Sequence, residues 1–314
     1  MGLTYPEAIV VGLVQGVTEL FPVSSLGHSV LLPALVGGRW ARDLTVSAPE
    51  SPYLAFIVGL HVATAVALLV FFRADWVRIA RGFLTSVRDR SVSTSDQQLA
   101  WLVVLATVPV GVAGLLLEHT FRTVLGRPLP AASFLFTNGL ILLAGERMRR
   151  RVPAAVPVHQ AAVAGVGGAP DAPPPVDVDS GVAADRRLAG VGVPTALVVG
   201  AAQVLALLPG ISRSGSAMVA GLVRGLDHED AARFSFLLAT PVILAAGVLK
   251  LPDLAGPLGA GIRGQVLAGS IVSGLAAYAS VRWLTRWFST RTLTPFAVYS
   301  LLAGAGSLLV LAAR

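Results

Sequence analysis

The 314-residue chain has no cysteine, so it forms neither disulfides nor thiolate metal sites, and cysteine usage carries no information on redox compartment. Charge is scarce as well. Only 13% of residues are Asp, Glu, Lys or Arg, against about 25% in average soluble domains, while 54% are hydrophobic and the mean hydropathy is +0.75. A water-soluble fold could not hide that much apolar surface, and the composition is that of a membrane protein. The start, Met1 to Glu7, lacks the basic stretch of a cleaved signal peptide and is expected to stay. A net charge of +7 and a pI near 10.9 would suit nucleic acid, but the basic residues sit between apolar segments rather than along one polar face. No nucleic-acid partner is expected, and the charge reads as orientation in a membrane.

What is present is a series of apolar segments long enough, at roughly 17–25 residues, to cross a bilayer. They lie at about 54–72, 99–117, 132–146 (short), 232–250, 264–283 and 294–313. Two further segments, 7–37 and 194–223, are each interrupted midway by Pro, Gly and Ser, which leaves half-helices too short to span. Each predicts a re-entrant helical hairpin with its break facing the protein interior, because irregular backbone at membrane depth needs cover. Residues 150–190 change character, with Pro153, Pro157, Pro170, Pro173, Pro174 and Pro175 among Ala, Gly and Val. They predict a disordered cytoplasmic linker between a first repeat, 1–149, and a second, 191–314.

Arginine placement orients the spans. Arg73, Arg78, Arg81, Arg88 and Arg90 form one cluster, and Arg147, Arg149, Arg150, Arg151, Arg186 and Arg187 another. With both in the cytoplasm, alternation puts Arg224, Arg233, Arg282, Arg286 and Arg291 there too. The smaller set of Arg39, Arg42, Arg122, Arg127, Lys250, Arg263 and Arg314 is left outside, as positive-inside bias requires. The first hairpin then enters from outside and the second from the cytoplasm. The fold expected is an all-α polytopic membrane protein of two inverted-topology repeats, each a re-entrant hairpin plus about three spans, with the breaks meeting near the midplane. Trp40, Trp76, Trp101, Trp283 and Trp287 lie near span ends, where interfacial anchoring accounts for them.

The two breaks repeat each other. Without a gap, Gly12 falls on Gly200, Gln15 on Gln203, Ser24 on Ser212 and Gly27 on Gly215. Ser24 or Ser25 and Ser212 or Ser214 are good N-cap residues for the half-helices that follow. Helix N-termini favour an anion, Gly27, Gly210 and Gly215 permit close backbone approach, and the forked donors of Arg213 suit phosphate oxygens. These features point to a phosphate site. Gln15 and Glu19 lie four apart on one helix face, where they could hold a cation or a water, and His28 with the hydroxyls supplies acid–base and nucleophilic groups. Ionisable side chains are expensive in a bilayer, which favours a functional over a structural reading of Glu19 and Arg213. His61, alone in an apolar run, reads as a packed, hydrogen-bonded histidine. Gly12-x-x-x-Gly16 reads as a helix-packing motif.

The segment Gln15-Gly-Val-Thr-Glu19-Leu-Phe-Pro-Val-Ser24-Ser25-Leu-Gly27-His28 resembles the (Glu/Gln)-x-x-x-Glu and P-x-S-S-x-G-H signature of bacterial undecaprenyl-pyrophosphate phosphatases, the bacitracin-resistance proteins. Pro209-Gly210-Ile-Ser212-Arg213-Ser214-Gly215 is similar to their P-G-x-S-R-S-G. The likeness extends through Leu60-His61-Val-Ala-Thr64 and Phe234-Ser-Phe-Leu-Leu-Ala-Thr-Pro241. It implies removal of the terminal phosphate of undecaprenyl pyrophosphate in the bacterial plasma membrane, at a site open to the outer face, with a divalent cation, Mg²⁺ or Ca²⁺, often required. The catalytic set implied is Ser25, His28, Glu19 and Arg213, with Ser24, Gly27, Ser212, Ser214, Gly215 and Gln15 contacting substrate and Glu19 with Gln15 holding the cation.

Two departures, Gln15 where Glu is common and Leu26 where Thr is common, weaken the implied metal and substrate contacts. Ser25 as nucleophile and direct attack by water both remain open, as do Glu19 and His28 for the proton. A homodimer is compatible with the expectation. The rival reading is a lipid-phosphate transporter or flippase, which would need the same anion site without the Ser-Ser-x-Gly-His set.

Overall fold

The computed structural model describes residues 3–45, 52–150, 180–256 and 259–314. It is helical throughout, with no strand among the described residues. In chain order the helices are α1 Tyr5–Thr18, α2 Ser25–Val36, α3 Gly38–Asp43, α4 Pro52–Phe71, α5 Arg73–Asp89, α6 Ser95–Leu125 and α7 Pro128–Arg149. They continue as α8 Ser180–Ala189, α9 Val193–Ala202, the 3₁₀ turn Gln203–Leu207, α10 Arg213–Val223, α11 His228–Ala255, α12 Arg263–Phe288 and α13 Thr294–Ala312. Six of them are long and apolar enough to cross a membrane: α4, α6, α7, α11, α12 and α13.

Local chemistry sets the element ends. Thr4 and Glu7 form a reciprocal capping box at the start of α1, with Pro6 in its first turn. Pro22 cannot continue that helix, and the chain turns to Ser24, which caps α2. Ser212 caps α10 in the same way. At the chain end, Arg314 donates to the carbonyls of Ala34 and Leu35, both at 2.6 Å, so the last residue closes the C-terminal turn of α2.

The helices pair across the two halves of the chain. α7 packs on α13, α4 on α11 and α12, α1 on α12, and α9 on α6. Between lipid-embedded helices the hydrophobic effect gives little attraction, so close approach by small residues matters. Gly12 and Gly16 meet Gly269 and Ser273, and a Cβ at Gly12 would stand 2.5 Å from the Gly269 carbonyl oxygen. Gly200 meets the backbone of Ala106 in the same manner.

Two apolar clusters make up the core. One contains Val11, Leu60, Leu135 and Val266; the other contains Leu20, Ala65, Leu142 and Ala277. Along α1, α4, α7 and α12 the change from one cluster to the other falls at Gln15, at His61 and Thr64, at Asn138 and at Ser273. On α13 it falls at Ser300, between Ala297 and Ala303. A polar layer therefore crosses the bundle between the two clusters.

The expected disordered linker, 150–190, is contradicted in its C-terminal part. Residues 151–179 lie outside the described residues, but Ser180–Ala189 is helix α8, not disordered chain. Its Asp185 is buried and accepts from Arg78 at 2.5 Å and from Arg233 at 2.9 Å, while Leu188 joins the core. Sequence polarity misled here because these charges are satisfied by partners far along the chain. Burial alone would lower Arg78, but hydrogen bonds and charge from Asp185 and Asp75 outweigh it and raise Arg78 above an ordinary arginine.

Candidate active site

The two breaks touch. Ser24 Oγ accepts from Gly27 N at 3.2 Å within its own helix start and from Gly210 N, in the other break, at 3.2 Å. Ser212 Oγ accepts from Gly215 N at 3.1 Å, the equivalent cap in the second segment. Gly27 must lack a side chain, because a Cβ there would lie 2.9 Å from the Gly210 Cα. Asn138 ties the breaks together: its amide nitrogen donates to Pro22 O at 2.9 Å and its oxygen accepts from Ser212 N at 2.9 Å. Ser214 Oγ lies 3.0 Å from Ser212 Oγ and donates to Phe21 O at 3.3 Å.

Glu19, 7% exposed, is the centre of this arrangement. Its Oε1 accepts from Arg213 Nη2 at 2.8 Å. Its Oε2 accepts from Ser25 Oγ at 2.5 Å and from Gln15 Nε2 at 3.0 Å, and faces His61 Nε2 at 3.3 Å. With Ser24 committed to capping, Ser25 is the serine whose hydroxyl is left for the carboxylate. By helix geometry the first N–H groups of α2 and α10 lack intrahelical acceptors, and the cap serines take only those of Gly27 and Gly215. Arg213 Nη1 and Gln15 Oε1 are buried without a hydrogen-bond partner among the described residues. A buried guanidinium nitrogen left over beside two helix N-termini is an unmet demand for an anionic oxygen.

Of the residues expected from sequence, Gln15, Glu19, Ser24, Ser25, Gly27, Ser212, Arg213, Ser214 and Gly215 come together. His28 does not join Glu19. Its Nδ1 lies 2.7 Å from Ser24 O, which only accepts, so Nδ1 carries the hydrogen and Nε2 accepts from Tyr299 Oη at 2.7 Å. His61 is the reverse case, since it contacts Glu19 rather than merely packing. Asn138 and Tyr299 were also missed; a lone amide within the 132–146 span was a usable signal, whereas Tyr299 had none.

The expected cation finds a poor cage here. No group of three or more His, Cys, Asp and Glu converges on a metal geometry among the described residues, and hydrogen donors surround both Glu19 oxygens. Gln15 Oε1, beside Glu19, is a buried oxygen without a hydrogen-bond partner among the described residues and is left to ligate.

Helices long enough to cross a bilayer, enclosing a buried charged site where two broken helices meet, define a polytopic membrane protein. Residues 8–306 match the family described as Bacitracin resistance protein BacA, and the chain belongs to that family. It is 64% identical over 312 residues to the undecaprenyl-diphosphatase of Mycolicibacterium paratuberculosis (strain ATCC BAA-968 / K-10), covering 99% of each chain. It is 56% identical to undecaprenyl-diphosphatase 1 of Frankia casuarinae over 96% of each chain. With undecaprenyl-diphosphatase 2 of Chromobacterium violaceum the identity is 40%, over 96% of this chain and 97% of that one.

Proposed function

We propose that this protein is an integral-membrane undecaprenyl-diphosphatase, which converts undecaprenyl pyrophosphate to undecaprenyl phosphate and inorganic phosphate and so recycles a cell-wall lipid carrier. The carrying observation is Nη1 of Arg213, buried and without a hydrogen-bond partner among the described residues, on a guanidinium whose Nη2 already holds Glu19. Arg213 and the N–H groups at the starts of α2 and α10 bind the phosphates and stabilise charge in the transition state. Ser25 Oγ attacks the terminal phosphorus, the bridging P–O bond breaks, undecaprenyl phosphate leaves, and the serine proton passes to Glu19 Oε2. Phosphoryl transfer through a loose transition state needs little base strength, so a carboxylate steadied by Arg213 suffices. Water then attacks the phosphoserine and the P–Oγ bond breaks; Glu19 returns its proton to Ser25 Oγ and the water protons leave on the released phosphate, because His28 Nε2 is taken up by Tyr299 Oη. No step is routed through a metal; a Mg²⁺ or Ca²⁺ would be held mainly by phosphate oxygens and water.

The same reading makes the chain two inverted repeats, 1–149 and 191–314. In its support, α1 runs from the Val11 cluster toward the Leu20 cluster, α9 begins at the latter cluster, and Ser24 and Ser212 are matched caps. Both termini and the mouth of the site lie at the outer face, and the arginine-rich end lies in the cytoplasm.

The test is phosphate release from undecaprenyl pyrophosphate by purified protein in detergent, with Ser25→Ala alongside. Wild-type turnover and a loss of at least about a hundredfold in the variant are expected. Full activity in Ser25→Ala would leave direct attack by water, and an inert wild type would end the reading.

A further inference from the structure

One side chain at Glu19 belongs to neither break. His61 lies on α4, and its ring is held from both sides: Nδ1 is 2.8 Å from Ile57 O and Nε2 is 3.3 Å from Glu19 Oε2. Both partners only accept, so Nδ1 donates to the carbonyl and Nε2 donates to the carboxylate from a doubly protonated ring, whose orientation is set by the backbone of α4 one turn earlier. That backbone is itself clamped between α11 and α12, and Thr64, one turn on, is buried against Ser273 of α12. The oxygen His61 faces is the one that accepts from Ser25 at 2.5 Å.

The terminal torsion of a glutamate is broad, so a carboxylate gripped by Arg213 on Oε1 alone could rotate its second oxygen away from the serine. A group fixed by another helix on the Oε2 side removes that freedom. We infer that His61 is a positioning residue: it sets the carboxylate plane of Glu19 so that Oε2 faces the Ser25 hydroxyl. The inference rests on the proposed roles of Ser25 and Glu19. It concerns geometry at the reacting atoms, where misplacement by about 1 Å costs up to about a hundredfold in rate.

Two isosteric variants separate the ring's two contacts. In His61→Gln the amide nitrogen stands near the place of Nε2 and keeps a donor toward Glu19, whereas in His61→Asn it stands near Nδ1 and keeps only the Ile57 contact. Both are assayed for phosphate release beside wild type and Ser25→Ala, with thermal melting as the check on folding. His61→Gln should keep kcat within about threefold, and His61→Asn should lose about tenfold or more in kcat with KM within about twofold. A folded His61→Asn with wild-type kcat overturns the role, as does a folded His61→Gln that loses as much, or a loss carried by KM alone. If His61→Asn fails to fold, His61→Leu, which keeps neither contact, takes its place: a tenfold or greater loss in kcat is expected and wild-type kcat overturns the role. An inert wild type would instead fail the proposed function, and the role of His61 with it.

Discussion

Ser24 holds a backbone conformation that side chains resist, with φ 68° and ψ 102°. Such positions cost about 1–3 kcal/mol and persist where surrounding contacts over-determine them. Here Oγ satisfies two backbone donors, Gly27 N and Gly210 N, and the carbonyl holds the His28 ring. Ser24→Ala keeps the strain and loses both acceptor contacts, so it should destabilise the protein by about 1–3 kcal/mol. Ser24→Gly loses the same bonds but relieves φ, and should be the milder change. Denaturant unfolding in detergent measures both; equal losses would remove the strain argument. Arg213→Lys keeps charge but not the fork that serves Glu19 and a phosphate together. A fall of at least about tenfold in kcat/KM, roughly 1.4 kcal/mol, is expected from steady-state phosphate release, and unchanged kinetics would take the fork out of the mechanism.

Among the elements, α8 shows most plainly how composition and packing part company. Its Ala, Gly and charged residues look like more of the linker, yet Asp185 receives Arg78 of α5 and Arg233 of α11, and Asp75 contacts the same two arginines. Four charges, two of each sign, close one end of the bundle. Asp185→Ala leaves two arginines facing one aspartate. The expected cost is about 2 kcal/mol, below the roughly 3–5 kcal/mol of a fully buried pair because both arginines keep some solvent; a thermal melt within error of wild type would contradict it. Replacing 155–175 by a Gly/Ser tether should leave hydrolysis within a few fold. Extending the replacement through 180–189 should cost folded protein, measured as monodisperse yield, because it removes Asp185 and Leu188 from their sites. Hydropathy located the six long apolar helices, although α6 runs on to Leu125, eight residues past the expected 117, and it failed at α8 because a short amphipathic helix is defined by its partners.

At the scale of the whole molecule, the absence of native cysteine makes topology directly testable. Single cysteines at Ser51, Ser95 and Ala164 should react with an impermeant reagent from outside only at Ser51. Labelling of Ala164→Cys in intact cells would reverse the orientation and, with it, the face to which the site opens. The polar layer that holds Glu19 and Arg213 lies between the two apolar clusters, so under the proposed function the phosphates must pass one of those clusters to reach it, and orientation decides from which side.

By itself the sequence determined the membrane class, the apolar helices and the two breaks, because each follows from local hydropathy, proline, glycine and N-cap chemistry. The pairing of Gln15 with Glu19 was legible too, since a four-residue spacing on one helix puts both side chains on one face. Only the tertiary structure decided which further side chains join or leave that site. His61, Asn138 and Tyr299 are single polar residues in apolar runs with no local partner to reveal their direction, and His28 sits in a strong motif yet turns toward Tyr299. Which polar groups meet between the two apolar clusters is set by how helices cross. Those crossings depend on small residues such as Gly12 and Gly200 finding facing backbone more than ninety positions away.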